Sequence, residues 1–189
     1  MTDLPTKSFT AAPLWRRWLD ANHTKSAGIW LRLHKKGSGR KTVTYAEALD
    51  EALCYGWIDG QKKKGDEISW LQKFTPRRPR SLWSKKNCAH ATRLIKAKRM
   101  TASGQKEVDA AKKDGRWDRA YDAARAMEIP TDFLRELRKD KNALAFFESL
   151  NRANVFAIVW RLQTAKKPET RARRMEQIVQ MMKDGKKFH

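Results

Sequence analysis

Residues 45–87 read YAEALDEALCYGWIDGQKKKGDEISWLQKFTPRRPRSLWSKKN. Thr44, just upstream, and Glu47 have the spacing of a capping box, which predicts a helix starting at Tyr45. That helix runs to about Tyr55, with Leu49, Ala52 and Leu53 inward, and Gly56 is placed to end it. A hairpin follows, with strands at 57–63 and 68–74 about the turn Lys64-Gly65-Asp66. Ile68, Trp70 and Phe74 are expected on one side of it. The two prolines between Thr75 and Arg80 force extended backbone on their predecessors, so this segment is no helix. A helix, a hairpin and an extended cationic segment in direct succession specify an α+β fold.

Upstream, Leu14, Trp15, Trp18 and Leu19 share one face of a helix over 12–21, with Pro13 tolerated in its first turn. Residues 28–36 read as a strand, in which Ile29, Leu31 and Leu33 alternate with Trp30, Arg32 and His34. The loop Lys36-Gly37-Ser38-Gly39-Arg40-Lys41 lacks the spacing of a phosphate-binding loop and reads as a flexible turn. Downstream, helices are expected at 85–98, 102–114, 116–126, 131–139, 141–150, 152–165 and 169–184. Ser84, Thr101 and Asp140 are the expected N-caps, and Gly115 and Gly185 the stops. Leu144/Phe147/Leu150, Val155/Ile158/Val159/Leu162 and Met175/Ile178/Val179/Met182 form apolar stripes at helical spacing. The expected fold is α+β and mostly helical, with a small antiparallel sheet under helices. The body spans 1–127 and a C-terminal helical module spans 128–189.

The 189-residue chain carries 42 Lys or Arg against 21 acids, a formal charge of +21. Residues 61–100 alone hold 13 cations and two acids. Trp70, Phe74 and Trp83 are interleaved with those charges, and Trp57 lies just before them, so the segment reads as a surface for an anionic partner, either nucleic acid or a phosphorylated molecule. The two cysteines, Cys54 and Cys88, make no disulfide framework and are expected as free thiols, which suits a reducing compartment. MTDLPTKSFT at the start has no apolar secretory core, and no apolar run approaches the length of a membrane span. The expected location is cytoplasmic.

Four scattered histidines predict no metal site, and nothing in the sequence calls for a cofactor. No nucleophile elbow or paired-carboxylate signature is present, so no catalytic residue is assigned. Lys85 and Lys86 would lower the pKa of the Cys88 thiol. Trp117 and Tyr121 are expected to share a helix face. Asp59 reads either as a cleft carboxylate or as a strand-end partner for an arginine. The anion-site candidates are Trp57, Asp59, Arg77, Arg78, Trp83, Ser84 and Asn87. Prolines hold the arginine pair extended, Ser84 opens a helix whose first amides suit an anion, and Trp83 would offer a flat face.

Several motifs resemble the YdeI/OmpD-associated, bacteriocin-protection family. They are Tyr45-x-Glu47-Ala48-Leu49 through Trp57-Ile58-Asp59-Gly60, Phe74-Thr75-Pro76-Arg77 through Asn87, Arg99-Met100-Thr101-x-x-Gly104, Gly115-Arg116-Trp117, and Ala165-Lys166 through Arg174. The resemblance implies a link to tolerance of bacteriocins or cationic antimicrobial peptides, and a possible envelope or partner protein, without implying a biochemical activity. At +21 the chain would repel cationic peptides, so such a role would be indirect. The leading expectation is a non-catalytic binding protein of this type. The alternatives are a nucleic-acid-binding protein using the 61–100 surface, and an enzyme acting on a phosphorylated small molecule.

Overall fold

The computed structural model describes residues 4–122 and 127–189. The chain divides into two compact units, residues 1–120 and 121–189.

The N-terminal unit is a mixed α+β body. Its elements are β1 (Thr6–Ser8), α1 (Ala12–Asn22), β2 (Ile29–His34), α2 (Tyr45–Cys54), β3 (Trp57–Lys64), β4 (Ser69–Pro76), α3 (Lys85–Lys96) and α4 (Ala102–Lys113). The four strands form one open sheet in the order β1-β2-β4-β3. β2–β4 and β3–β4 are antiparallel, as the hairpin pattern requires. β1 adds a parallel edge to β2. Three polar residues, Thr6-Lys7-Ser8, make β1, and its pairing is a backbone matter that leaves no side-chain pattern in the sequence.

Period-two alternation splits the sheet into two chemically different faces. Ile29, Leu31, Leu33 and Phe74 are buried on one face. Trp15 of α1 packs its ring 5.7 Å from Phe74, 5.3 Å from Trp18 and 6.4 Å from Trp57. The indole N–H groups of Trp15 and Trp57 donate to the carbonyls of Ala48 and His23, at 3.1 Å each. Buried indoles need such partners, because an unmade hydrogen bond there costs about 1–3 kcal/mol. Ile68, expected beside Trp70, instead precedes the strand and is exposed.

The capping box at Thr44 forms as the spacing requires, with the Glu47 carboxylate held below its usual range by the Thr44 amide. α2 then runs through the middle of the unit. Its Glu51 is buried yet clamped, with Arg16 at 2.8 Å on one side and Arg99 on the other. α4 starts hard against the end of α2, where the Thr101 hydroxyl and amide both donate to the Cys54 carbonyl. A Cβ on Gly104 would lie 2.3 Å from that same carbonyl oxygen, so only glycine permits this approach. His23 adds a second tie, its Nε2 lying 2.9 Å from the Ser103 hydroxyl.

The helix expected over 116–126 does not form over its described part. Gly115, at φ +71°, ends α4, and residues 116–119 make a turn; residues 123–126 lie outside the described residues. Arg116 explains the turn: it is buried, bonded to its own neighbour Asp114 and donating to the Ser81 carbonyl at 2.8 Å. Trp117 and Tyr121 therefore share no helix face. Trp117 packs on Trp83, and Tyr121 on Trp160.

The C-terminal unit is helical: α5 (Thr131–Leu137), α6 (Lys141–Glu148), α7 (Arg152–Gln163) and α8 (Pro168–Lys183). Asp140 caps α6 as its sequence position indicates, accepting from the amides of Asn142 and Ala143. The core is Phe133, Leu137, Phe147, Ile158, Leu162, Ile178 and Met182, with Val179 only partly buried. Arg171 grips Asp132 through both carboxylate oxygens, and this holds the Asp132 carboxyl below its usual range. Asn154, buried in α7, accepts from the amides of Phe188 and His189 and so fastens the chain's last residues. No helix among the described residues is long and apolar enough to cross a membrane.

Candidate functional site

The residues singled out in the sequence sit in three places. Trp57 belongs to the tryptophan core. Asp59 accepts a 2.7 Å hydrogen bond from the Tyr45 hydroxyl and is not paired to an arginine among the described residues. Arg77, Trp83, Ser84 and Asn87 come together at the start of α3, and all four are buried.

There the Arg77 guanidinium carbon lies 3.5 Å over the Trp83 ring, and its Nη1 donates to the Leu82 carbonyl. Trp83 is only 2% exposed, so its face meets Arg77 and Trp117 and not solvent. The Ser84 hydroxyl accepts from the Asn87 amide at 3.1 Å, which occupies one of the free amides of the helix start. Cys88 lies beside this cluster. Burial pushes its thiol up to about 11 and outweighs the opposing Arg77 charge, so the lowering expected from Lys85 and Lys86 does not appear. Burial likewise raises Cys54 to about 11, and neither cysteine forms a disulfide. Neither is an activated nucleophile.

Arg78 faces the other way. Both arginines lie past the end of β4 at Pro76, where the chain leaves the sheet and turns Arg77 inward onto Trp83 and Arg78 outward. Arg78 is exposed and, with Lys73, Gly60, Gln61 and Ser81, lines a hollow of about 350 Å³.

Lys73 leads onto the second face of the sheet. It stands directly opposite Trp30 in the β2–β4 register. Lys63 reaches the same ring from β3, its ammonium 4.1 Å from the Trp30 centroid, while Lys73 is 5.9 Å away. Arg32 follows Trp30 on this face and bonds Asp66 and the Ser69 hydroxyl. The neighbouring Lys62, on the opposite side of β3, lies 4.4 Å over Trp70. Two successive lysines are thus each held over a different tryptophan. A ring beneath an ammonium is worth about 0.5–1 kcal/mol at an exposed site, so these charges have preferred positions.

β3 is one edge of the sheet and carries Lys62, Lys63 and Lys64 in a row. Of the hairpin carboxylates, Asp59 is bonded to Tyr45 and Asp66 to Arg32, and Glu67 lies at the turn. Trp30 was legible in the β2 alternation; what hid its lysines was that β3's register with β4 shifts between Asp59 and Lys62. That irregularity decides which hairpin lysine reaches which ring.

Among the described residues no group of three His, Cys, Asp or Glu side chains could hold a metal ion. The arrangement can attract and orient anions.

Comparison with known families divides the chain in the same way as its fold. The family model described as Domain of unknown function (DUF8412) matches residues 7–107, more than half of the chain, and the chain belongs to that family. A second family model, described as Bacteriocin-protection, YdeI or OmpD-Associated, matches residues 126–185. The resemblance to that second family is thus supported over the C-terminal part of the chain and not over the motifs of the N-terminal unit. Neither the curated proteins nor the solved structures yielded a match.

Proposed function

We propose that this protein acts by binding and not by catalysis, and that its N-terminal unit engages nucleic acid across the β3–β4 ribbon. One observation carries the reading: Lys63 and Lys73 stand over the half-buried Trp30 on one sheet face, and Arg78 lines a hollow with Lys73. Such a surface suits a single strand, whose phosphates meet the cations while a base meets the aromatic ring. The flat face and edge also suit a polymer better than a small substrate, which needs an enclosing cleft. Lysines on a free edge strand have a further effect, since they discourage pairing with another sheet.

The test is fluorescence anisotropy with a labelled single-stranded oligonucleotide at two salt concentrations. The variant Lys63→Ala/Lys73→Ala/Arg78→Ala should bind more weakly. Its salt dependence should flatten by about 0.7 in log–log slope for each phosphate no longer neutralised. Unchanged affinity and slope would end the proposal.

A second reading rests on the bacteriocin-protection description of the family matched by residues 126–185. Under it, the protein contributes to tolerance of bacteriocins or cationic peptides through an anionic ligand or an envelope partner. Direct capture of a cationic peptide is opposed by the charge of +21.

A further inference from the structure

We propose a second anion site, separate from the nucleic-acid face: a pocket for a nucleoside polyphosphate under the loop between β2 and α2. The loop leaves β2 at His34 and enters α2 at Tyr45. Its base is fastened. The Lys35 amide donates to the Ile68 carbonyl and its ammonium to the Glu67 carbonyl, and the Val43 amide donates to the Phe9 carbonyl. At its apex Gly37 and Gly39 turn the chain with φ of +86° and +70°. A Cβ at either glycine would meet nothing within 4 Å, so the apex backbone is open there.

The loop borders an open cavity of about 470 Å³ against Trp70 and Tyr45. That is the size of ordinary small-ligand sites, which run from about 300 to 1,000 Å³. Lys35, Lys36, Arg40 and Lys41 all line it, and among the described residues no acidic side chain does. Two carboxylates bond lining residues from outside the cavity: Glu47 the amide and hydroxyl of Thr44, and Asp59 the Tyr45 hydroxyl. His34 also lines the cavity, and its Nδ1 is buried with no hydrogen-bond partner among the described residues. A second hollow of about 410 Å³ adjoins through Lys35 and Trp70; Lys62, Lys63 and Lys64 line it, with Asp66, which is paired to Arg32. In the loop cavity itself, cations without carboxylates, open glycine backbone at the rim and an aromatic wall are the chemistry of phosphate groups joined to a planar ring.

Lys63 lines the adjoining hollow as well as the nucleic-acid face, but Lys36, Arg40 and Lys41 belong to the loop cavity alone, and one experiment keeps the two sites apart. Isothermal titration of the full chain with ATP, tripolyphosphate and adenosine is run beside oligonucleotide binding, at about 150 mM salt. Two triple variants remove equal charge: Lys36→Ala/Arg40→Ala/Lys41→Ala at the loop apex, and Lys63→Ala/Lys73→Ala/Arg78→Ala on the sheet face. All six side chains project from a loop or a sheet surface, and thermal melts check that both variants fold. The expected result is one ATP per chain, bound more tightly than tripolyphosphate. The apex variant should lose about tenfold or more for both and change oligonucleotide affinity less than about twofold. Trp70→Phe should weaken ATP and leave tripolyphosphate unchanged. No saturable ATP binding, or equal losses of ATP affinity in the two triple variants, would overturn the site. Oligonucleotide affinity unmoved by the sheet-face variant would instead count against the nucleic-acid reading alone.

Discussion

The two units of this chain carry their positive charge differently. In the N-terminal unit some arginines pair with acids, as Arg16 and Arg99 do with Glu51 and Arg93 with Asp50, but a second set of cations lies over aromatic rings: Lys62 on Trp70, Lys63 on Trp30, Arg77 on Trp83. In the C-terminal unit, Arg171 and Lys139 answer Asp132 and Glu136, and Lys186 answers Asp184. Arg161 over Phe188 is the exception there, and it serves to hold the chain's end. A cation paired to a carboxylate is neutralised before any ligand arrives. A cation over a ring keeps its full charge and gains a fixed position. The difference teaches where a binding surface is to be sought in a chain that is basic throughout.

The largest expected effect concerns what holds the binding unit together. Gly104→Ala would drive a Cβ into the Cys54 backbone and separate α4 from α2. A loss of about 3 kcal/mol or more is expected, within the range of severe core overpacking. Thermal unfolding should show it in the N-terminal unit, and an unchanged melting temperature would break the account of that junction.

Next comes the buried Glu51. Glu51→Gln should cost about 2 kcal/mol by weakening charged hydrogen bonds to Arg16 and Arg99. Both arginines are at least a third exposed, so they rehydrate, and the loss stays below that for a fully buried charge. Denaturant titration reads this value.

Acid should touch both units. Burial would raise the Asp50 carboxyl, but hydrogen bonds from Arg93 and His90 outweigh it and hold it below its ordinary value. Asp132 is held low by Arg171. A carboxylate with a depressed folded-state pKa stabilises the fold at neutral pH, and that contribution is lost as pH falls through the folded value. Melting temperature should therefore fall below about pH 4, and Asp50→Asn should flatten that fall. An identical acid profile in the variant would show that Asp50 is not part of it. The smallest effect is expected from Arg171→Ala, at about 1 kcal/mol or less, because the pair is about a third exposed.

Much of this architecture was legible in the sequence. The alternation of Ile29, Leu31 and Leu33 marks β2, and Thr44 with Glu47 marks the start of α2. Ser84, Thr101 and Asp140 cap α3, α4 and α6 where their side chains suggested. These features are local, set by one turn or one strand. The helix expected after Gly115 fails because Arg116 reaches 35 residues back to the Ser81 carbonyl, a tie no local pattern records. The site was less legible. Arg77 and Arg78 read as one cationic pair, but beyond β4 Arg77 turns inward onto Trp83 and Arg78 stays at the surface. The glycine loop reads as a plain turn. Its cavity exists only because β4 and α2 set Trp70 and Tyr45 beneath it.

The claim that charge on rings, and not charge in general, makes the binding surface has one direct test. Two triple variants remove the same +3: Lys62→Ala/Lys63→Ala/Lys73→Ala, each over a ring, in the N-terminal unit, and Lys166→Ala/Lys183→Ala/Lys187→Ala in the C-terminal unit. Oligonucleotide anisotropy at two salt concentrations compares them. The account predicts that the first weakens binding about tenfold or more with a shallower salt slope, as expected when two or three phosphates go unneutralised, while the second changes affinity less than about twofold. Equal weakening by the two would mean that net charge alone governs binding, and would contradict the account.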